Sequence, residues 1–383
     1  MEDVLVMIVG AGPAGLALAA CLTVMTIPFI LLEKEDCHNS LWKKRAYDRC
    51  HLHLAKEFCS LPHRPHPRQA KKYMPKNDFI NYVDDYVTHF GIKPRYNHVV
   101  EHAAFDEIQG KWEIRALDMS CNVTQVFISS FLVVATGENG KSVIPDIPGV
   151  KDFEGDLVHS SQYKSGLEYQ DKDVLVVGCG NSGMEIGYDL ANYGARTSIV
   201  VRNSFHVVSK EMIWVGMHLL KYLSIWVVDI LVLMAVKIKY GDLSKYGIHR
   251  PEEGPFFIKA TKGRSPVIDV GTVAKIRSGK IKVCPGISRI NKNSVVFENE
   301  VESHFDAIVF ATGFRSTVCE WLKDYEYLMK DDGFPKNRFP NHWKGSKRLY
   351  CAGLARMGLQ GLSRDAQAIA ADIKSTLQST EFQ

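Results

Sequence analysis

The sequence predicts an α/β fold built on parallel sheets, with one domain inserted into the other. Three observations predict it. The pattern Gly-x-Gly-x-x-Gly occurs twice, at residues 10–15 and 178–183. Each copy lies between a β-rich run and a stretch with helical spacing of apolar residues. After about residue 305, strands like those at the start of the chain return. Strands alternating with helices imply parallel sheets covered on both faces. Two glycine fingerprints imply two dinucleotide-binding, Rossmann-like domains.

The elements follow in order. Residues 4–9 form a strand, 14–23 a helix and 29–33 a second strand, which together make one βαβ unit. Residues 77–89 are an amphipathic helix with Phe79, Tyr82, Val83 and Tyr86 on one face. Residues 99–105, 111–116 and 124–128 form a meander, and 131–135 a separate buried strand ending at Gly137. The grammar then restarts with a strand at 174–177, a helix at 182–193 and a strand at 198–201. Late strands lie at 307–311 and 349–352, and a helix starts at Ser363. The Pro145–Pro148–Gly149 junction marks a boundary. The expected division is 1–148 with 305–383 for the first domain and 149–304 for the second.

Composition narrows the function classes. The 383 residues are 46% hydrophobic and 23% charged, ordinary for a globular protein with a core of its own. The 47 basic and 43 acidic residues leave a net charge of +4, too weak to argue for nucleic acid. The 9 cysteines form no C-x-x-C pair, so neither a zinc ribbon nor a thioredoxin-like motif is expected, and no metal. Their usage suits a reduced, cytoplasmic protein. Glu2 and Asp3 stand where a signal peptide would be basic. Residues 215–236 are apolar but interrupted by Lys221 and Asp229, whereas a membrane span needs about 20 apolar residues. The expectation is a buried helix or a tunnel wall with no transmembrane segment, and a shallow membrane contact is the less favoured alternative.

Each fingerprint reads as a phosphate cradle. The first glycine makes the tight turn, the second admits a pyrophosphate, and the third lets helix and strand pack closely. In the first cradle these are Gly10, Gly12 and Gly15, and Glu33 follows 23 residues after Gly10 as a ribose-binding carboxylate. In the second they are Gly178, Gly180 and Gly183, and Arg202 stands at the equivalent position, 24 residues on. A carboxylate there would repel a 2′-phosphate, whereas an arginine pairs with one. Lys210 adds a second positive charge. The first site therefore suits a dinucleotide with a plain ribose, FAD or NAD alike, and the second suits NADPH. A hydride donor beside an acceptor favours NADPH with FAD. A disulfide reductase would need a closely spaced cysteine pair, and Cys50 and Cys59 are too far apart.

Residues 153–163 (FEGDLVHSSQY) resemble the F-x-G-x-x-x-H-x-x-x-F signature of class B flavin-containing monooxygenases, with Tyr163 as the final aromatic. Ala311-Thr312-Gly313-Phe314 resembles that family's A-T-G-[FY] segment, and Ala135-Thr136-Gly137-Glu138-Asn139 its earlier counterpart. Residues 40–62, 263–286, 305–323, 332–344 and 349–373 resemble the plant YUCCA-type flavin monooxygenases. The departures are Cys50 and Ala55, where that family usually has Leu and Pro, and Met357, where a basic residue is common. The resemblance implies oxidative decarboxylation of indole-3-pyruvate to indole-3-acetic acid in auxin biosynthesis. FAD, NADPH and molecular oxygen would take part and carbon dioxide would leave. It suggests His159 for positioning the nicotinamide and Asn139 as a hydrogen-bond donor to the activated oxygen. A packing histidine and a turn asparagine fit those positions equally. Two other readings stay open: N- or S-oxygenation of another small substrate, and cofactor binding without turnover.

Overall fold

The computed structural model describes residues 1–381. It divides into two compact units. The first comprises Met1–Lys44, Lys56–Lys141 and Phe314–Gln383, and the second Arg45–Ala55 and Ser142–Gly313.

The first unit is built on a mixed sheet. Its strands run in the order Phe29–Leu32, Glu2–Val9, Val123–Val134, Lys111–Asp118 and His98–Asp106, and Leu349–Cys351 joins the end of Val123–Val134. The two strands expected at 124–128 and 131–135 are one 12-residue strand. Its first half pairs antiparallel with Lys111–Asp118, Trp112 opposite Ser129. Its second half pairs parallel with Leu349–Cys351, Leu132 opposite Leu349. Glu2–Val9 runs beside both halves and keeps them continuous. Helix Pro13–Val24 is buried from Ala14 to Leu22 because it is covered from the other side by helix Gly358–Glu381. That last helix begins at Gly358 rather than Ser363. The Ser363 hydroxyl bonds the carbonyl of Leu359 inside the helix, so it is no cap.

The second unit holds a five-stranded parallel sheet in the order Ile281–Cys284, Arg196–Val200, Asp173–Val177, Ala307–Phe310 and Asp156–His159. Strand Ala307–Phe310 pairs with Asp173–Val177 on one side and Asp156–His159 on the other. The chain therefore returns to the first unit after Gly313, not at 305. Residues 307–313 look like residues 131–137 because both feed an Ala-Thr-Gly turn, which is why sequence alone assigned them to the first domain. The excursion Arg45–Ala55 is the other departure from the expected boundaries.

The apolar stretch 215–236 is not wholly buried. It forms parts of helices Lys210–Leu219 and Ile225–Tyr240. The second helix buries Val228, Val232, Val236 and Tyr240, spaced by four, and leaves its other apolar face exposed. Asp229 turns inward. Its two carboxylate oxygens accept the amides of Phe256 and Phe257, each at 2.9 Å, at the start of helix Pro255–Lys262. Among the described residues no helix is long and apolar enough to cross a membrane.

Candidate functional site

In the first unit, Gly10 has φ +107°, and a Cβ there would lie 2.6 Å from the Ala135 carbonyl oxygen. A Cβ on Gly15 would lie 1.9 Å from the Gly10 carbonyl oxygen, so both positions exclude any side chain. Gly12 differs: a Cβ there meets nothing within 4 Å. It heads helix Pro13–Val24 with no side-chain cap, leaving the first-turn amides for a ligand. Glu33 stands at this opening. Its Oε2 accepts the Ala11 amide at 2.7 Å and its Oε1 the Glu35 amide at 3.0 Å. Burial pushes its carboxyl up, and those two amides act in the opposite direction.

The second unit repeats this geometry. Gly178 has φ +113°, with its virtual Cβ 2.6 Å from the Ala311 carbonyl oxygen. The virtual Cβ of Gly183 lies 2.0 Å from the Gly178 carbonyl oxygen, and that of Gly180 meets nothing within 4 Å. Ala135 N donates to Val9 O and Ala311 N to Val177 O, each at 2.9 Å. Each Ala-Thr-Gly segment is thus the wall that forces its glycine turn. Arg202 follows strand Arg196–Val200 and is exposed. Its backbone lies against the Cys179 thiol, and it makes no ion pair among the described residues. Lys210 opens the next helix, which Ser209 caps by accepting the Met212 amide.

The residues of the 153–163 signature hold this second unit together. Phe153 is buried, and a Cβ on Gly155 would lie 2.5 Å from the Asp306 carbonyl oxygen. The Tyr163 hydroxyl donates to Asp189 Oδ2 at 2.7 Å, a use for the hydroxyl that phenylalanine lacks. His159 is buried, with Nε2 3.0 Å from the Gly313 carbonyl oxygen and Nδ1 3.2 Å from the Ser161 amide that donates to it. Burial pushes its pKa down, so the ring is neutral with the proton on Nε2. Both nitrogens are engaged, which makes His159 a positioning residue for the Gly313 turn. Asn139 is half-buried in the loop past Gly137, whose φ is +73°.

Four further side chains, which the sequence reading did not single out, carry the site and its frame. Asn39 is buried, its amide donates to the Ala11 carbonyl at 2.9 Å, and neither its side-chain oxygen nor nitrogen has a partner. The Thr136 hydroxyl, beside Gly10, is also buried and unpartnered. Unsatisfied buried polar groups are costly, so two of them around an open glycine cradle fit a polar dinucleotide in that place. Glu185 and Asp189, one turn apart on helix Asn181–Asn192, are buried acids anchoring flanking segments. Their spacing on an apolar helix face is the signal that identifies them.

A family model described as flavin-binding monooxygenase-like matches residues 4–344. The chain belongs to this family. Within it, the chain is 57% identical over 378 residues to the probable indole-3-pyruvate monooxygenase YUCCA10 of Arabidopsis thaliana, covering 98% of each. It is 46% identical to the indole-3-pyruvate monooxygenase YUCCA6 of the same plant, covering 96% of this chain and 89% of the relative. Solved structures of the same fold include a flavin monooxygenase from Stenotrophomonas maltophilia, at TM-score 0.74 and 18% identity, covering 98% of this chain and all of that one. Another is OTEMO in complex with FAD and NADP, at TM-score 0.75 and 15% identity, covering 98% of this chain and 85% of that one. The fold of this flavin-binding monooxygenase is thus shared well beyond its plant relatives.

Proposed function

We propose that the protein is an NADPH- and FAD-dependent monooxygenase that converts indole-3-pyruvate to indole-3-acetic acid with release of carbon dioxide. The observation that carries this is the pair of cradles with matching glycine geometry, one followed by the carboxylate of Glu33 and the other by the guanidinium of Arg202. The first unit holds FAD and the second NADPH, in a protein working in the cytoplasm. FAD, when bound, supplies hydride acceptance from NADPH and activation of molecular oxygen.

The chain's own residues bind and orient. The amides after Gly12 and Gly180 take up the pyrophosphates at helix N-termini. Glu33 accepts a ribose hydroxyl with the lone pairs left free by the Ala11 and Glu35 amides. Arg202 would pair with the 2′-phosphate through charge-assisted hydrogen bonds. Neutral His159 fixes the turn at Gly313, and Asn139 presents an amide donor beyond the first Ala-Thr-Gly turn. The YUCCA relatives supply the substrate in this reading.

Product analysis tests it. The purified protein with FAD, NADPH, oxygen and indole-3-pyruvate is expected to yield indole-3-acetic acid, and substrate should raise the ratio of product to NADPH consumed. Formation of hydrogen peroxide alone at saturating indole-3-pyruvate, with efficient oxygenation of an amine or sulfide, would move the protein to N- or S-oxygenation.

A further inference from the structure

We propose that the outward face of helix Ile225–Tyr240 docks the protein on the surface of an anionic lipid bilayer. This helix is apolar all round, yet only one face packs on the protein. The other presents Trp226, Val227, Ile230, Leu231, Met234 and Ile238 to solvent, with Trp226 70%, Ile230 56%, Met234 51% and Ile238 87% exposed. A run of exposed large apolar side chains from Trp226 to Ile238, along most of this 16-residue helix, needs a second apolar phase to cover it.

Charge names that phase. Between Glu211 and Asp242, the exposed charges are Lys221, Lys237 and Lys239, all positive. The only acid in that stretch, Asp229, is buried and spent on the amides of Phe256 and Phe257. An apolar strip with a lysine before it and two at its far end is complementary to an anionic lipid surface. Tyr222 and Trp226, 84% and 70% exposed, stand at one end, where such rings favour the headgroup level. A second copy of the chain fits worse. Two-fold pairing along this helix, in either direction, brings lysines against lysines. The helix is about 24 Å long, too short to span, so it lies in the interface plane.

Flotation of the flavin-loaded full chain with phosphatidylcholine vesicles, with and without phosphatidylserine, tests this. The protein is expected to float with phosphatidylserine vesicles at low salt and to be released by high salt. Ile230→Glu with Met234→Glu should weaken partitioning about tenfold or more. Lys237→Glu with Lys239→Glu should weaken it about fivefold per lysine. All four positions are exposed, so flavin content and NADPH oxidation in solution should be unchanged, which reports that the variants fold. No flotation at low salt would overturn the proposal. So would equal flotation of Ile230→Glu/Met234→Glu and the parent. A parent dimer that this variant dissolves, without vesicle binding, would assign the face to a second copy instead.

Discussion

The Tyr47 hydroxyl donates to Glu185 Oε2 at 2.6 Å, joining positions 138 apart in the chain. His53 Nε2 lies 2.9 Å from the other oxygen. Burial by itself would push this carboxyl up, but His53, Tyr47 and Arg49 outweigh it and hold it below the usual carboxylate range. Glu185 sits one turn into the helix that the second cradle opens, so the pair clamps residues 45–55 to the cradle's own helix.

Tyr47→Phe removes one donor from a buried, ionised carboxylate and should cost about 1–3 kcal/mol. The same change made in Glu185→Gln should cost less, because no charge is then left short of a partner. Urea denaturation of the four proteins in this cycle gives both values.

The two kinds of glycine in a cradle should fail differently. Gly12→Ala faces open space and should leave the apoprotein's melting temperature nearly unchanged while the protein purifies poor in FAD. Gly15→Ala drives a methyl group to 1.9 Å from the Gly10 carbonyl oxygen and should unfold the unit. Absorbance of bound flavin and thermal melts separate the outcomes. Full FAD occupancy in Gly12→Ala would refute the placement.

Arg202→Ala should weaken NADPH binding by roughly ten- to a hundredfold, the value of a charge-assisted pair. NADH lacks the 2′-phosphate and should be nearly unaffected. Steady-state KM values for both nucleotides check this, and equal losses would mean that Arg202 only supports the fold.

His159 predicts an acid limb to stability. Its pKa is depressed below 6.5 by burial, so its contribution is present above 6.5 and is lost as pH falls through the depressed value. The loss is at most about 1.4 kcal/mol per pH unit. His159→Gln should lower the melting temperature at pH 7.5 yet show a shallower decline towards pH 5.5. Parallel pH profiles for the two proteins would show that His159 does not titrate.

Much of this was legible because it rests on local spacing. Gly10, Gly12, Gly15 and Glu33 fall on one strand–turn–helix–strand unit, and so do Gly178, Gly180, Gly183 and Arg202. What sequence missed depends on partners far along the chain. Strand Ala307–Phe310 has the same local pattern as the end of Val123–Val134, and only its pairing with Asp156–His159 reveals its sheet. Asp229 looked like an interruption of an apolar run, yet it is a cap for a helix starting 26 residues later. Asn39 has no flanking pattern at all. Its isolation is visible only once the surrounding backbone has closed over it.

The central strand of the first unit, Val123–Val134, also dictates an order of assembly during synthesis. Its flanking partners come from opposite ends of the chain, Glu2–Val9 at the start and Leu349–Cys351 near the finish. Helix Pro13–Val24 waits still longer for its cover, Gly358–Glu381. The second unit, by contrast, is complete once Gly313 has left the ribosome. The half of the molecule that is begun first is therefore closed last. Until the last helix has been made, the first helix lacks that part of its covering, and nascent chains stalled short of it are the ones that chaperones would hold.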